Sequence, residues 1–137
     1  MDERLSAEAA MRGAEFRAAL RRFLRRAERA ARSSGLTPQR YLLLLMIKGA
    51  PDGSEKSTVT ELADRLQLAQ STVTELVRRA EEVGLVQRET SAVDGRVAHL
   101  RLTEEGERRL SRSFASISAE RDALRATFAQ LEENAGS

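Results

Sequence analysis

The sequence predicts a mainly α protein that carries one small β element. Three observations lead there. Phe16, Leu20, Phe23, Ala27 and Ala30 recur at steps of 4, 3, 4 and 3, one apolar stripe along a helix. Leu110, Phe114, Ile117, Arg121, Leu124, Phe128 and Leu131 repeat the same spacing near the other end, with Arg121 as the one charged member. Between them, Ala98, Leu100 and Leu102 alternate with Val97, His99 and Arg101, the period of a half-exposed strand.

The elements follow in order. A first helix is predicted from about Ser6 to Ser34, closed by Gly35 in the capping position. Thr37 then Pro38 reads as an N-cap followed by proline at the first helical position, so a second helix starts there. It carries Tyr41 to Ile47, apolar nearly all round and therefore expected to be buried. Pro51, Asp52 and Gly53 mark a loop. An extended lead-in is expected at Ser57–Val59, and Thr58 with Glu61 fits a capping box for a third helix reaching about Leu66. A tight turn at Gln67–Gln70 precedes a fourth helix, expected over about Ser71–Val83, whose Val73, Leu76, Val77 and Ala80 share one face. Two strands, Leu85–Thr90 and Arg96–Leu102, flank a turn at Ser91–Gly95. Thr103 then caps one long final helix.

Composition narrows the chemistry. The chain has 137 residues, 41% of them hydrophobic and 32% charged, which suits one compact domain with a core. It has no cysteine and one histidine, so thiolate sites, disulfides and an ordinary zinc site are not expected. No apolar run approaches the roughly 20 residues that span a bilayer. The N-terminus does not read as a secretory signal, and the cytoplasm is the expected compartment. No phosphate loop, dinucleotide loop or nucleophile motif is visible, so neither an enzyme nor a cofactor is expected. Net charge is only +2, but unevenly spread: residues 1–48 hold 11 bases and 5 acids, residues 60–101 hold 6 bases and 7 acids.

Five stretches together carry a family resemblance: Thr60–Leu66, Ser71–Thr74, Glu82–Val86, Asp94-Gly95-Arg96 and Leu102–Gly106. In order and spacing they resemble the helix-turn-helix, wing and wing exit of the MarR family. The resemblance implies a winged helix-turn-helix over 37–103, between a dimerisation helix at 1–36 and another at 104–137. It also implies a homodimeric regulator on double-stranded DNA, with repression relieved by an anionic aromatic or phenolic effector. Where the family often opens the recognition helix with Ser-Pro, this chain has Ala69 and Gln70, so Ser71 is expected to cap a slightly later start.

The fourth helix turns Gln70, Ser71, Thr72, Thr74, Glu75, Arg78 and Arg79 away from its apolar face. Short hydroxyls and free N–H groups at a helix start suit phosphate, Gln70 suits adenine, and Arg78 suits guanine or phosphate. Glu75 would repel phosphate, accept from a cytosine amino group, or pair with Arg79 at i, i+4. By resemblance, Arg96 enters the minor groove from the wing and Asp94 holds it. Arg17 and Arg21, beside the first apolar stripe, are candidates to pair with an effector carboxylate. The rival expectation is a winged-helix interaction module that has lost DNA binding, favoured by Glu75 and by the net −1 of residues 60–101.

Overall fold

The computed structural model describes residues 3–90 and 95–136. Its elements are α1 (Ala7–Ser33), α2 (Pro38–Lys48), β1 (Lys56–Ser57), α3 (Val59–Leu66), α4 (Gln70–Glu82), β2 (Val86–Thr90), β3 (Ala98–Leu102), α5 (Glu104–Ser116) and α6 (Ser118–Gly136). This is the mainly α winged helix-turn-helix that the sequence predicts.

Local chemistry sets most of the boundaries. The Ser6 hydroxyl accepts from the Ala9 N–H at 3.1 Å and opens α1. Gly35, at φ +76°, lets the chain reverse, and the Leu36 N–H closes the helix on the Ala31 carbonyl at 2.9 Å. Thr37 caps α2 through the Arg40 N–H at 3.1 Å, with Pro38 behind it. The capping box of α3 is complete: the Glu61 N–H donates to Thr58 Oγ1 at 3.2 Å and the Thr58 N–H donates to Glu61 Oε1 at 2.9 Å.

The start of α4 departs from expectation. The helix begins at Gln70, with Ala69 as an N-cap that makes no side-chain bond, and Ser71 lies inside the first turn rather than capping it. Packing replaces the cap. Gln67 adopts a left-handed conformation at φ 56° and the Leu68 N–H returns to the Ala63 carbonyl at 3.1 Å, so the end of α3 fixes where α4 starts. Val73, Val77 and Ala80 then anchor its inner face.

The sheet is antiparallel in the order β1-β3-β2. Ser57 lies opposite Leu100, and the wing pair runs from Val86↔Leu102 to Thr90↔Ala98. The strands are slightly shorter than expected, and the lead-in pairs through Lys56 and Ser57 rather than 57–59. Leu100 and Leu102 point into the core, and His99 on the other face of the strand is half-buried opposite Glu89. Leu43, Leu44, Ile47, Leu62, Val73, Val77 and Leu85 complete the centre of the core.

The expected single C-terminal helix is two helices, broken at Ile117. Two groups stabilise the break. Ser116 Oγ donates back to the Ser113 carbonyl at 2.8 Å, a bond that bends helices. Arg121 donates through both terminal nitrogens to the Phe114 carbonyl, at 3.2 and 3.1 Å, and its guanidinium lies 3.6 Å over the Phe114 ring. The charged member of the heptad stripe thus satisfies a carbonyl freed at the break. Beyond it, α6 packs along α1, with Phe16 and Phe128 stacked at 4.6 Å.

The first turn of α5 is locked to the base of the wing. Thr103 Oγ1 donates to the Gly84 carbonyl at 2.6 Å and accepts from the Gly106 N–H at 3.1 Å. The Thr103 N–H donates to the Leu85 carbonyl at 3.0 Å. Gly106 is buried against that same carbonyl, so closely that a Cβ would sit 2.2 Å from its oxygen. Arg109, from the next turn, donates to the Gly35 carbonyl at 3.0 Å and ties α5 to the α1–α2 junction.

Candidate nucleic-acid interface

The burial of Val73, Val77 and Ala80 decides which side of α4 meets solvent. Gln70, Ser71, Thr72, Thr74, Arg78 and Arg79 are exposed and Glu75 is half-buried, so the structure brings all seven sequence-predicted helix residues to one outer face. A shallow groove of about 340 Å³ runs between this face and the start of α2, lined by Gln39, Ser71, Thr72, Glu75, Leu76 and Arg79. Sequence reasoning missed Gln39. Its signal was the Thr37–Pro38 start, which puts Gln39 in a helix first turn where backbone N–H groups lack helical partners.

An ion-pair cluster occupies the middle of the face. Glu75 Oε2 accepts from Arg78 Nε at 2.9 Å, and Glu75 Oε1 accepts from Arg78 Nη2 and from Arg79 Nε, the latter at 3.0 Å. Arg78 Nη1 donates to Glu82. The Arg78 guanidinium, and then that of Arg79, holds the Glu75 carboxyl down at about 2. Glu75 in turn raises the pKa of Arg78. The expected Glu75–Arg79 pair is therefore present, inside a larger network that sums to zero charge.

The wing is braced onto the same lobe. Arg88 on β2 donates through Nε to both oxygens of Glu81 on α4, each at 3.1 Å. Glu89 stands between Lys56 Nζ at 3.8 Å and Arg101 Nη1 at 3.6 Å, joining all three strands. Arg96 is exposed just before β3. Asp94, its expected partner, lies outside the described residues.

Arg17 and Arg21 are on the outer side of α1, along a solvent-open groove shared with Arg25, Arg29 and Arg32. They do not line the apolar pocket of about 330 Å³ between α1, α2 and the α5–α6 break. That pocket has walls of Phe23, Leu24, Ala27, Tyr41, Leu45 and Phe114, with Glu28 and Arg121 as its charged residues. Burial raises the pKa of the Tyr41 hydroxyl, with Arg121 opposing. Among the described residues, no group of three or more His, Asp or Glu side chains could hold a metal ion, and no helix is long and apolar enough to cross a membrane.

Helix-turn-helix, three-stranded sheet and flanking helices define a winged helix-turn-helix fold. A sequence model of the MarR family matches residues 34–97, from the end of α1 through β2 to the residues just before β3, and the chain is similar to that family over this lobe. Solved structures extend the likeness over the flanking helices. AbsC, a MarR family transcriptional regulator from Streptomyces coelicolor, is 21% identical with a TM-score of 0.71, over 95% of this chain and 84% of its own. YusO from Bacillus subtilis is 25% identical with a TM-score of 0.60, over 90% and 84%. A mutant of Escherichia coli MarR complexed with operator DNA is 18% identical with a TM-score of 0.63, over 89% and 80%. No curated protein matches the chain by sequence.

Proposed function

We propose that this protein is a transcriptional regulator that binds a pseudo-palindromic operator as a homodimer, represses by occupying it, and is released by a small anionic aromatic or phenolic effector. The observation that carries the reading is the outer face of α4. Gln70, Ser71, Thr72, Thr74, Arg78 and Arg79 stand exposed together on the second helix of the helix-turn-helix. Such a helix lies in the major groove and reads base edges with amide and guanidinium donors. Arg96 follows from the wing into the minor groove, with Asp94 as its sequence-expected partner. The E. coli relative solved with operator DNA supports this use of the fold.

Two such faces on a dimer address half-sites about 10 bp apart. Exposed apolar side chains at the start of α1 support dimerisation: Leu5 is 74% exposed and Met11 71%. For the effector, the apolar pocket at the α5–α6 break suits an aromatic ring, and Arg121 suits its carboxylate. Arg17 and Arg21 are the alternative anchors on the outer side of α1. Salicylate titrated against the DNA complex separates the two: loss of response in Arg121→Met supports the pocket, and loss in Arg21→Ala supports the outer groove.

The decisive experiment is fluorescence anisotropy on duplex DNA across a salt series. Binding should weaken steeply with salt, and Arg96→Ala should weaken all duplexes alike, flattening the log–log slope by about 2 per dimer. No salt-dependent binding by the parent would reject the DNA reading and leave the interaction-module alternative, which the neutral α4 cluster favours.

A further inference from the structure

Glu75 occupies an unexpected place for an acid. On α4 it lies at the centre of the outer face, opposite the Val73–Val77–Ala80 anchor, with Ser71 one turn before it and Glu82 two turns after. Its neighbours on either side are Arg78 and Arg79. Both carboxylate oxygens are occupied by guanidinium donors. A carboxylate in that state is a poor acceptor for a cytosine amino group, and its charge is already compensated against phosphate.

The effect on the arginines is more informative. An arginine carries five N–H donors. Glu75 takes two from Arg78, one on Nε and one on Nη2, the side-on bidentate geometry that fixes a guanidinium plane. Glu82 takes a third, on Nη1. The two donors that remain equal the two major-groove acceptors of guanine, O6 and N7. Arg79 is tied through Nε alone, and its terminal nitrogens are left for phosphate. One acid therefore splits two adjacent, chemically identical side chains into a rigid one and a loose one.

We propose that Glu75 is a positioning residue for sequence readout. It pre-orients Arg78 toward a guanine and turns Arg79 toward the backbone, without touching DNA itself. The inference rests on the DNA-binding reading above and adds the division of labour on its reading helix. A long flexible side chain held in one rotamer before binding loses less entropy on binding, and the gain goes to the one base pair that fits its plane.

The test uses the full-length protein and a duplex recovered from a random library by selection with the parent, beside a scrambled duplex of equal length. Single-base substitutions of the selected duplex map which base pair each variant stops reading. Circular dichroism first confirms that Glu75→Gln, Glu82→Gln and Arg78→Ala keep the parent fold. Glu75→Gln should bind the scrambled duplex more tightly and lose about a hundredfold of the selected-to-scrambled ratio, about tenfold for one base contact in each of the two half-sites. The lost preference should fall on the same base pair that Arg78→Ala ceases to read. Glu82→Gln, which frees one donor only, should lose less. The Nε–H protons of Arg78 and Arg79 should exchange slowly with water in the parent and faster in Glu75→Gln, with no DNA present.

An unchanged ratio in Glu75→Gln overturns the proposal while the regulator function stands. A preference lost at a different base pair from Arg78→Ala also overturns it, because Glu75 would then be contacting a base directly. A parent that binds no duplex overturns the function itself and takes the proposal with it.

Discussion

Gly106→Ala will destabilise the protein, although it places the best helix former inside a helix. At an exposed position the exchange stabilises by about 1 kcal/mol. At position 106 the added Cβ falls 2.2 Å from the Leu85 carbonyl oxygen, 3.2 Å from its carbon and 3.5 Å from Leu102 Cβ. The first two are backbone atoms, so no rotamer change relieves the clash. The first turn of α5 must retreat from the wing base by roughly 1 Å to restore a normal contact. Overpacking of this kind costs about 1–3 kcal/mol. The retreat also stretches the bond from the Thr103 N–H to the Leu85 carbonyl, now 3.0 Å, and losing it costs a further ~1 kcal/mol. Against the helix-propensity gain, the net loss is about 2 kcal/mol, a fall in Tm of about 6–8 °C for a chain of this size. Thermal melts followed by circular dichroism, with a urea series to check an unchanged m-value, measure it. A Tm equal to or above the parent's would refute the close approach of α5 to the wing base.

Three further outcomes are expected. Arg121→Met keeps the aliphatic stem but removes both bonds to the Phe114 carbonyl and the ring contact, and should cost about 1–2 kcal/mol in urea unfolding; an unchanged midpoint would mean that the α5–α6 break holds without it. Glu75 should stay ionised at pH 3.5, because its folded pKa of about 2 lies below the ordinary 4.5. A carboxyl depressed on folding stabilises the folded state above its unfolded pKa and loses that contribution as pH falls through the folded value. The window is therefore 4.5 down to about 2, and an NMR carboxyl titration with a midpoint near 4.5 would contradict the Arg78–Arg79 brace. If the proposed homodimer forms through the exposed start of α1, Met11→Glu, at a position 71% exposed, should raise its dissociation constant at least about tenfold in sedimentation with little change in helicity; an unaltered constant, or a parent that sediments as a monomer, would refute that interface.

Much of the fold was legible because its signals are local. Thr37–Pro38, the Thr58–Glu61 box and Gly35 act within one turn of chain, and each works as its residue type implies. The break at Ile117 was not legible from the apolar stripe, which runs through it without a change of period. Its determinants are a serine bonding back along the helix and an arginine reaching seven residues back. Arg121 was visible as an odd member of the stripe, but its partner is a main-chain carbonyl, which no side-chain pattern encodes. The start of α4 was misplaced for the opposite reason: the capping rule is local, while Ala69 is held by the turn before it and the core beneath. The outer residues of α4 were legible from its period, since a buried Val73–Val77–Ala80 row leaves only one way for the others to face. The engagement of Glu75 with two arginines at once was legible only in part, as the i, i+4 half of the network.

The lock between α5 and the wing has a mechanical consequence. Thr103 and Gly106 fasten the first turn of α5 to the residues that begin β2, and Arg109 fastens the next turn to the α1–α2 junction. The far end of α5 is the Ile117 break. A helix of 13 residues is a rigid arm of roughly 20 Å. Swung by 5° at the break, such an arm carries its clamped end, and the wing with it, through roughly 1.7 Å. That is most of the step between making and missing a hydrogen bond, so a tilt of a few degrees at the break is enough to reset where the wing stands.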